Sequence, residues 1–255
     1  ANNKKTKKKG YRLNLKLSSP EKIERRLLTH EDPKSPISEA YRSLRTSLMY
    51  DAKEEDCKMI LVSSPGPGEG KTTTVANLAI TYANMGKKTL LVDADLRKPV
   101  LHKMFKNLHN KGLTNFLSNS SKNIEDILCD SGVENLSIIT SGVVPPNPSE
   151  LLASDNMNEF IKQAKQNFDV VLFDTPPLIA VTDAFVITKF INKFLLVVRA
   201  SVTEKGALER SLVNMANMDK NIDGVIFNGV DESNTYGGGY YYNYYQNYYG
   251  SDDNK

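Results

Sequence analysis

Six short apolar runs recur down the middle of the chain: MILV at 59–62, TLLVD at 89–93, LSIIT at 136–140, DVVLFD at 169–174, FLLVV at 194–198 and GVIFN at 224–228. Each is continuous rather than alternating, the pattern of fully buried strands with helices on both faces of a parallel sheet. Between them lie segments with apolar residues at helical spacing: Val75, Leu78, Ala79, Tyr82 and Met85 within 71–85, and Leu208, Leu212, Met215 and Ala216 within 204–219. Strand alternating with helix predicts an α/β fold, a mostly parallel central sheet with helices on both faces, and a ligand site beyond the strands' carboxyl ends. Ahead of the first run, Ser35 and Pro36 read as an N-cap and first helical residue. The stripe Ile37, Ala40, Tyr41, Leu44 and Leu48 follows, predicting a helix over 36–50.

Both ends depart from this pattern. Residues 1–17 carry seven Lys or Arg and no acid, so the formal charge of +3 conceals a net negative remainder. That balance argues against a generally basic nucleic-acid binder, while the arm KKTKKKGYR suits either an anionic membrane surface or a solvated terminus. After Val230 there is no Leu, Ile, Val, Met or Phe, and such a segment cannot offset its ordering entropy by burial. The chain therefore divides into a basic arm at 1–34, a folded domain at 35–230 and a disordered tail at 231–255. Eight of the twelve tyrosines fall in that tail: Tyr236, Tyr240, Tyr241, Tyr242, Tyr244, Tyr245, Tyr248 and Tyr249. Asp231, Glu232, Asp252 and Asp253 flank them and the only cation is the final Lys255, so a nucleic-acid backbone would be repelled.

No apolar run approaches the roughly 20 residues that span a bilayer, and none near the start resembles a secretion signal. Cys57 and Cys129 form no CxxC, which leaves no disulfide framework, zinc site or iron–sulfur site and points to a reducing cytoplasm.

The chemistry concentrates in ILVSSPGPGEGKTTT, a strand, a glycine-rich turn, then Lys71 and Thr72 opening a helix. This is the arrangement of a P-loop. Backbone N–H groups surround a phosphate chain, Lys71 reaches its β and γ oxygens, and the Thr72 hydroxyl ligates Mg²⁺. Gly66, Gly68 and Gly70 keep the turn clear of side chains, with Glu69 and Thr73 beside them. The strict GxxxxGK[ST] pattern asks for glycine where this chain has Pro65. Two further runs end in acids, Asp93 and Asp95 in TLLVDADLRKP and Asp174 in DVVLFDTPP. Carboxylates at such strand tips reach the ligand end of the sheet, where they hold Mg²⁺ directly or through water.

On these motifs the chain resembles the bacterial protein-tyrosine kinases of capsule and exopolysaccharide systems, from about residue 33 to the end. SSPGPGEGKT is similar to their Walker A motif, in which the position of Pro65 varies, LLVDADLR to Walker A′ and VVLFDTPP to Walker B. SGVVPPNPSELL, at 141–152, is similar to another family segment. Its plain reading is a helix start with Asn147 as cap, Pro148 first and Glu150 third. The resemblance implies a P-loop kinase that uses ATP and Mg²⁺ and autophosphorylates its tyrosine cluster between subunits. It implies a homo-oligomeric ring joined through an ExxRxxR segment, here Glu39, Arg42 and Arg45. Taken alone, that trio reads first as a solvated helix face.

The resemblance further implies protein substrates, a phosphatase to reverse the modification, and a transmembrane activator that recruits the cytoplasmic kinase to the membrane's inner face. The expected roles are phosphate stabilisation by Lys71, Mg²⁺ binding by Thr72, Asp95 and Asp174, and orientation of the incoming tyrosine by Asp93. Asn228, at the end of GVIFN, is expected either to contact adenine or to be a turn residue. The alternative class is a ParA- or MinD-like ATPase switch, similar in fold, that transfers phosphate only to water. Its P-loop carries a signature lysine where this chain has Pro65 and Gly66, and it gives the tyrosine tail no role.

Overall fold

A computed structural model describes residues 26–50, 57–105, 110–179 and 183–230. The tail tyrosines and residues 1–25 of the basic arm lie outside them. In chain order the elements are α1 (Leu28–Glu31), α2 (Pro36–Tyr50), β1 (Lys58–Ser63), α3 (Lys71–Ala83), β2 (Thr89–Asp93), α4 (Leu113–Leu117), β3 (Cys129–Asp130), β4 (Leu136–Ile139), α5 (Pro148–Ala153), α6 (Asp155–Asn167), β5 (Val170–Asp174), α7 (Asp183–Ile187), β6 (Lys193–Arg199), α8 (Lys205–Asn217) and β7 (Gly224–Asn228). All six apolar runs form strands, paired in parallel within a seven-stranded sheet of order β3-β4-β2-β5-β1-β6-β7. The seventh, β3, is a two-residue antiparallel strand at one edge, too short to register in the hydrophobic pattern.

Successive strand residues point to opposite faces, so a continuous apolar run feeds two cores at once. On one face Ile60, Val62 and Leu172 pack against Val75, Leu78 and Tyr82 of α3. On the other, Leu61, Phe173 and Leu196 meet Phe160 of α6, Ile187 of α7 and Met215 of α8. Because α1 and α2 cover its outer side, α3 is buried all round, and its polar residues need partners. Asn77 accepts the Thr29 N–H and hydroxyl, both at 2.9 Å, and donates to the Arg26 carbonyl at 3.0 Å. Residues 26–34, the last part of the segment read as a basic arm, thus include α1 and pack on α3, with Leu27 and Thr29 buried.

Three sequence expectations are corrected. The helix at 36–50 forms, with the Ser35 hydroxyl accepting the Ser38 N–H at 3.2 Å as its cap, and Leu44 and Leu48 of the expected stripe pack on the core, but the start of the stripe does not. Ser38 faces inward and donates to the Asp32 carbonyl at 2.7 Å, and Arg45 donates to the Thr81 carbonyl at 2.8 Å, while Ile37 and Ala40 face outward. Likewise α8 buries Ala207, Ser211 and Met215, not Leu212 or Ala216. The strand GVIFN is not fully buried: β7 pairs only with β6, and Val225 and Phe227 are each 62% exposed. Among the described residues no helix is long and apolar enough to cross a membrane.

Candidate active site

The turn between β1 and α3 is held from two sides. Gly68 (φ 79°) and Gly70 (φ 96°) adopt the left-handed conformation that glycine permits, and a Cβ at Gly70 would strike the Asn228 amide. That amide donates to the Glu69 carbonyl at 2.9 Å, and its oxygen accepts the Gly229 N–H at 2.9 Å. Arg199, at the end of β6, donates to the Gly68 carbonyl at 3.2 Å. Asn228, expected to contact adenine or to be a turn residue, is committed here to bracing the loop. Glu69 is buried, its carboxylate accepting the Gly66 N–H at 2.9 Å, and burial raises its pKa. It shapes the turn from within. From the opposite side, the segment after β5 docks on the loop's start, with the Ser63 hydroxyl donating to the Pro176 carbonyl at 2.8 Å.

Lys71, the first residue of α3, draws the acids together. Its Nζ lies 3.1 Å from Asp174 and 3.3 Å from Asp95, and the Thr72 hydroxyl donates to Asp174 at 2.6 Å. Burial opposes the Lys71 charge, but Asp174, Asp95 and Asp93 outweigh it and its pKa is raised. Asp174 is fully enclosed, and burial raises its pKa although Lys71 and Thr72 pull the other way.

Asp93 occupies a different position from Asp95. It is fully buried, its two oxygens accept the N–H groups of Asp95 (3.2 Å) and Leu101 (3.1 Å), and burial, reinforced by Asp174, pushes its pKa up to about 8. A carboxyl so placed fastens the loop after β2, and it does not line the adjoining cavity. That cavity, of about 360 Å³, is bordered by Lys71, Thr72, Thr73 and Asp95 on one side and by Val100, Pro176 and Pro177 on the other. The expectation that Asp93 meets an incoming tyrosine is therefore not what this conformation presents; Asp95 is the acid that faces the cavity.

A further pair was missed in the sequence. Arg97 donates through Nε (2.8 Å) and Nη2 (3.0 Å) to Asp183, the fully buried first residue of α7, and Ser149 of α5 donates to the same carboxylate at 2.5 Å. Arg97 follows Asp95 by two residues, so this pair ties the acid-bearing loop to α5 and α7. The motif LLVDADLR contains Arg97, but its partner stands 86 residues away with no local signature. Asn147 and Pro148 open α5 as expected, although the Asn147 side chain donates to the Glu150 carboxylate at 2.7 Å rather than capping the backbone.

The other expected trio lies apart from this site on α2. Arg42 pairs with Glu39 and with the Pro33 carbonyl, and Arg45 reaches α3 within its own chain.

The cluster fits a phosphate-bound Mg²⁺. Its donors are hard oxygens, and Asp95 and Asp174 already share one cation, the Lys71 ammonium. No three His, Cys, Asp or Glu side chains converge among the described residues, so an ion here would depend on phosphate and water oxygens as well. The open side of Gly68, where a Cβ would meet nothing within 4 Å, leaves room for the phosphates.

A parallel sheet with a glycine-rich turn at the tip of β1 and acids at the tips of β5 beside it and β2 one strand further out defines a P-loop NTPase of the MinD type. An AAA domain family profile matches residues 57–201, and the septum site-determining protein MinD of Pyrococcus horikoshii, complexed with Mg-ADP, is similar (TM-score 0.53, 25% identity, 67% of this chain and 69% of that one). Closer likenesses narrow the class. The tyrosine-protein kinase YwqD of Bacillus subtilis is 39% identical over 86% of this chain and 92% of its own. The kinase domain of the Escherichia coli tyrosine kinase ETK superposes with a TM-score of 0.77 at 33% identity, covering 82% of each chain. The chain belongs to the bacterial tyrosine-protein kinases.

Proposed function

We propose that this kinase phosphorylates the tail tyrosines 236–249 of a neighbouring subunit, using ATP and Mg²⁺, and that the modification regulates capsular or exopolysaccharide synthesis. The observation that carries the reading is the convergence of Lys71, Thr72, Asp95 and Asp174 at the mouth of a cavity. In the transfer, a tyrosine oxygen bonds to the γ-phosphorus as the bond to the ADP oxygen breaks, and the phenol proton passes to a carboxylate. Catalysis of this kind rests on positioning and charge neutralisation.

Lys71 leaves its carboxylate partners for the β and γ phosphates. Thr72, Asp95 and Asp174 are the residues that would hold Mg²⁺, which when bound would neutralise phosphate charge. A phenol with a pKa of about 10 benefits from a nearby proton acceptor. We assign that role to Asp95, because it faces the cavity, and assign to Asp93 the fastening of its loop. The N–H groups around Gly68, Gly70 and Thr73 cradle the phosphates, braced by Asn228 and by Glu69, which holds the Gly66 N–H.

For a tail to enter another subunit's site, subunits must assemble. Glu39 and Arg42, beside outward-facing Ile37 on α2, supply the surface for a homo-oligomeric ring, while Arg45 steadies α2 on α3. A transmembrane activator recruits the kinase to the inner face of the membrane, a phosphatase resets it, and other proteins serve as further substrates. Incubation with Mg²⁺ and ATP, followed by phosphate mapping by mass spectrometry, tests the reading. Phosphotyrosine within 236–249 that is absent from Lys71→Met supports it. Phosphate released only to water would instead support a MinD-like switch.

A further inference from the structure

The cavity extends beyond the phosphate-binding turn in one direction. Sheet order places the loops after β2 and β5 on one side of β1, and β6 and β7 on the other. Arg199 and Asn228 on the latter side are engaged with the turn itself, whereas the cavity is walled on the former side by Val100, Pro176 and Pro177. Two cations stand on that wall. Arg97 is anchored through Nε and Nη2 to Asp183, which leaves its Nη1 without a hydrogen bond among the described residues. Lys98 is exposed, and among the described residues its side chain has no partner; only its backbone N–H is engaged, by Asp95 at 3.0 Å.

Building on the proposed tail kinase, we propose that this wall is the acceptor subsite, and that Lys98, with Arg97 beside it, selects tyrosines on acidic segments. The proline and valine surfaces suit an aromatic ring, which buries apolar area while leaving its hydroxyl toward the phosphate end. An ammonium at the rim, that of Lys98, unpaired among the described residues, with the open Nη1 of Arg97 beside it, suits anionic neighbours. The occupant is the C-terminal segment of a second copy. Its eight tyrosines are bracketed by Asp231 and Glu232 on one side and Asp252 and Asp253 on the other, with Lys255 alone as a cation. Asp183 contributes by presenting Arg97 in a fixed orientation, so that little side-chain freedom is lost on binding.

The test uses the full chain with its eight tail tyrosines replaced by phenylalanine, acting on a peptide of residues 230–255. A second peptide carries Asp231, Asp252 and Asp253 as Asn and Glu232 as Gln. Lys98→Glu is expected to raise KM for the native peptide about tenfold, because it sets like charges against each other, with KM for ATP moving less than twofold. Neutralising the peptide should raise KM for the Lys98 enzyme but not for Lys98→Glu. An unchanged peptide KM in Lys98→Glu overturns the proposal, as does an ATP KM that rises in step, which would assign these cations to the nucleotide. If ATP is hydrolysed while neither peptide is phosphorylated, the tail-kinase reading fails, and the subsite with it.

Discussion

Replacing Lys71 with methionine should do more than abolish phosphate binding; it should make folding depend steeply on pH. Methionine retains most of the side chain's apolar stem, so the change is chiefly loss of the ammonium 3.1 Å from Asp174 and 3.3 Å from Asp95. Asp174 then has only the Thr72 hydroxyl and, being fully buried, must fold in its neutral form. Its unfolded pKa is about 3.9, and keeping it protonated costs about 1.4 kcal/mol for each pH unit above that value. The sign follows from a folded pKa raised above the unfolded one: stability is retained below pH about 4 and lost as pH rises. The cost in the variant is therefore up to about 1.5 kcal/mol at pH 5 and about 4 kcal/mol at pH 7; the parent, whose own Asp174 pKa is raised, shares the low-pH part of it, so these are upper bounds on the gap and the gap opens toward pH 7. The neutral-pH figure agrees with the roughly 3–5 kcal/mol expected for stripping one partner from a buried ion pair. Urea denaturation from pH 5 to 8, with EDTA and no nucleotide, measures the gap between variant and parent. A gap constant across pH 5–7 would refute the reasoning. Use of this variant as an inactive control should accordingly include a check that it is folded.

Two other outcomes follow from the same geometry. Arg97→Met strips two N–H groups from the buried Asp183; because the Arg97 side chain is 39% exposed, the expected loss is about 2–3 kcal/mol in urea denaturation, below that of a fully buried pair. Asp183→Asn, which keeps an acceptor, should lose about 1 kcal/mol. Glu39→Ala with Arg42→Ala should reduce the assembled mass measured by light scattering. Phosphatase treatment of the parent should raise that mass, since each tail phosphate carries roughly −1.5 to −2 charges; identical masses before and after treatment would count against charge-driven loosening.

The hydrophobic pattern located all six long strands because a parallel sheet flanked by helices makes both faces of a strand apolar. The same reasoning could not see that β7 lacks cover, since GVIFN reads like its buried neighbours and only the sheet order reveals an edge. In α2 the stripe held at Leu44 and Leu48 but failed at Ile37 and Ala40, because Ser38 and Arg45 turn inward to carbonyls on α1's flank and α3, partners that periodicity does not report. The phosphate turn and its acids were legible because each motif is local, a strand followed at once by its chemistry. Arg97–Asp183 and Asn228–Glu69 join positions 86 and 159 residues apart, and only the fold brings them together. The distinction between Asp93 and Asp95 likewise depends on which carboxylate is enclosed by N–H donors, a property of the folded loop.

Mixing two full-length variants tests the central claim most directly. One carries Lys71→Met with its tail intact, and the other has an unaltered site but phenylalanine at all eight tail tyrosines. With Mg²⁺ and ATP, phosphotyrosine should appear on the tail of the Lys71→Met subunit in the mixture and on neither protein alone. Absence of tail phosphotyrosine in the mixture, while the unaltered parent labels itself, would contradict transfer between subunits.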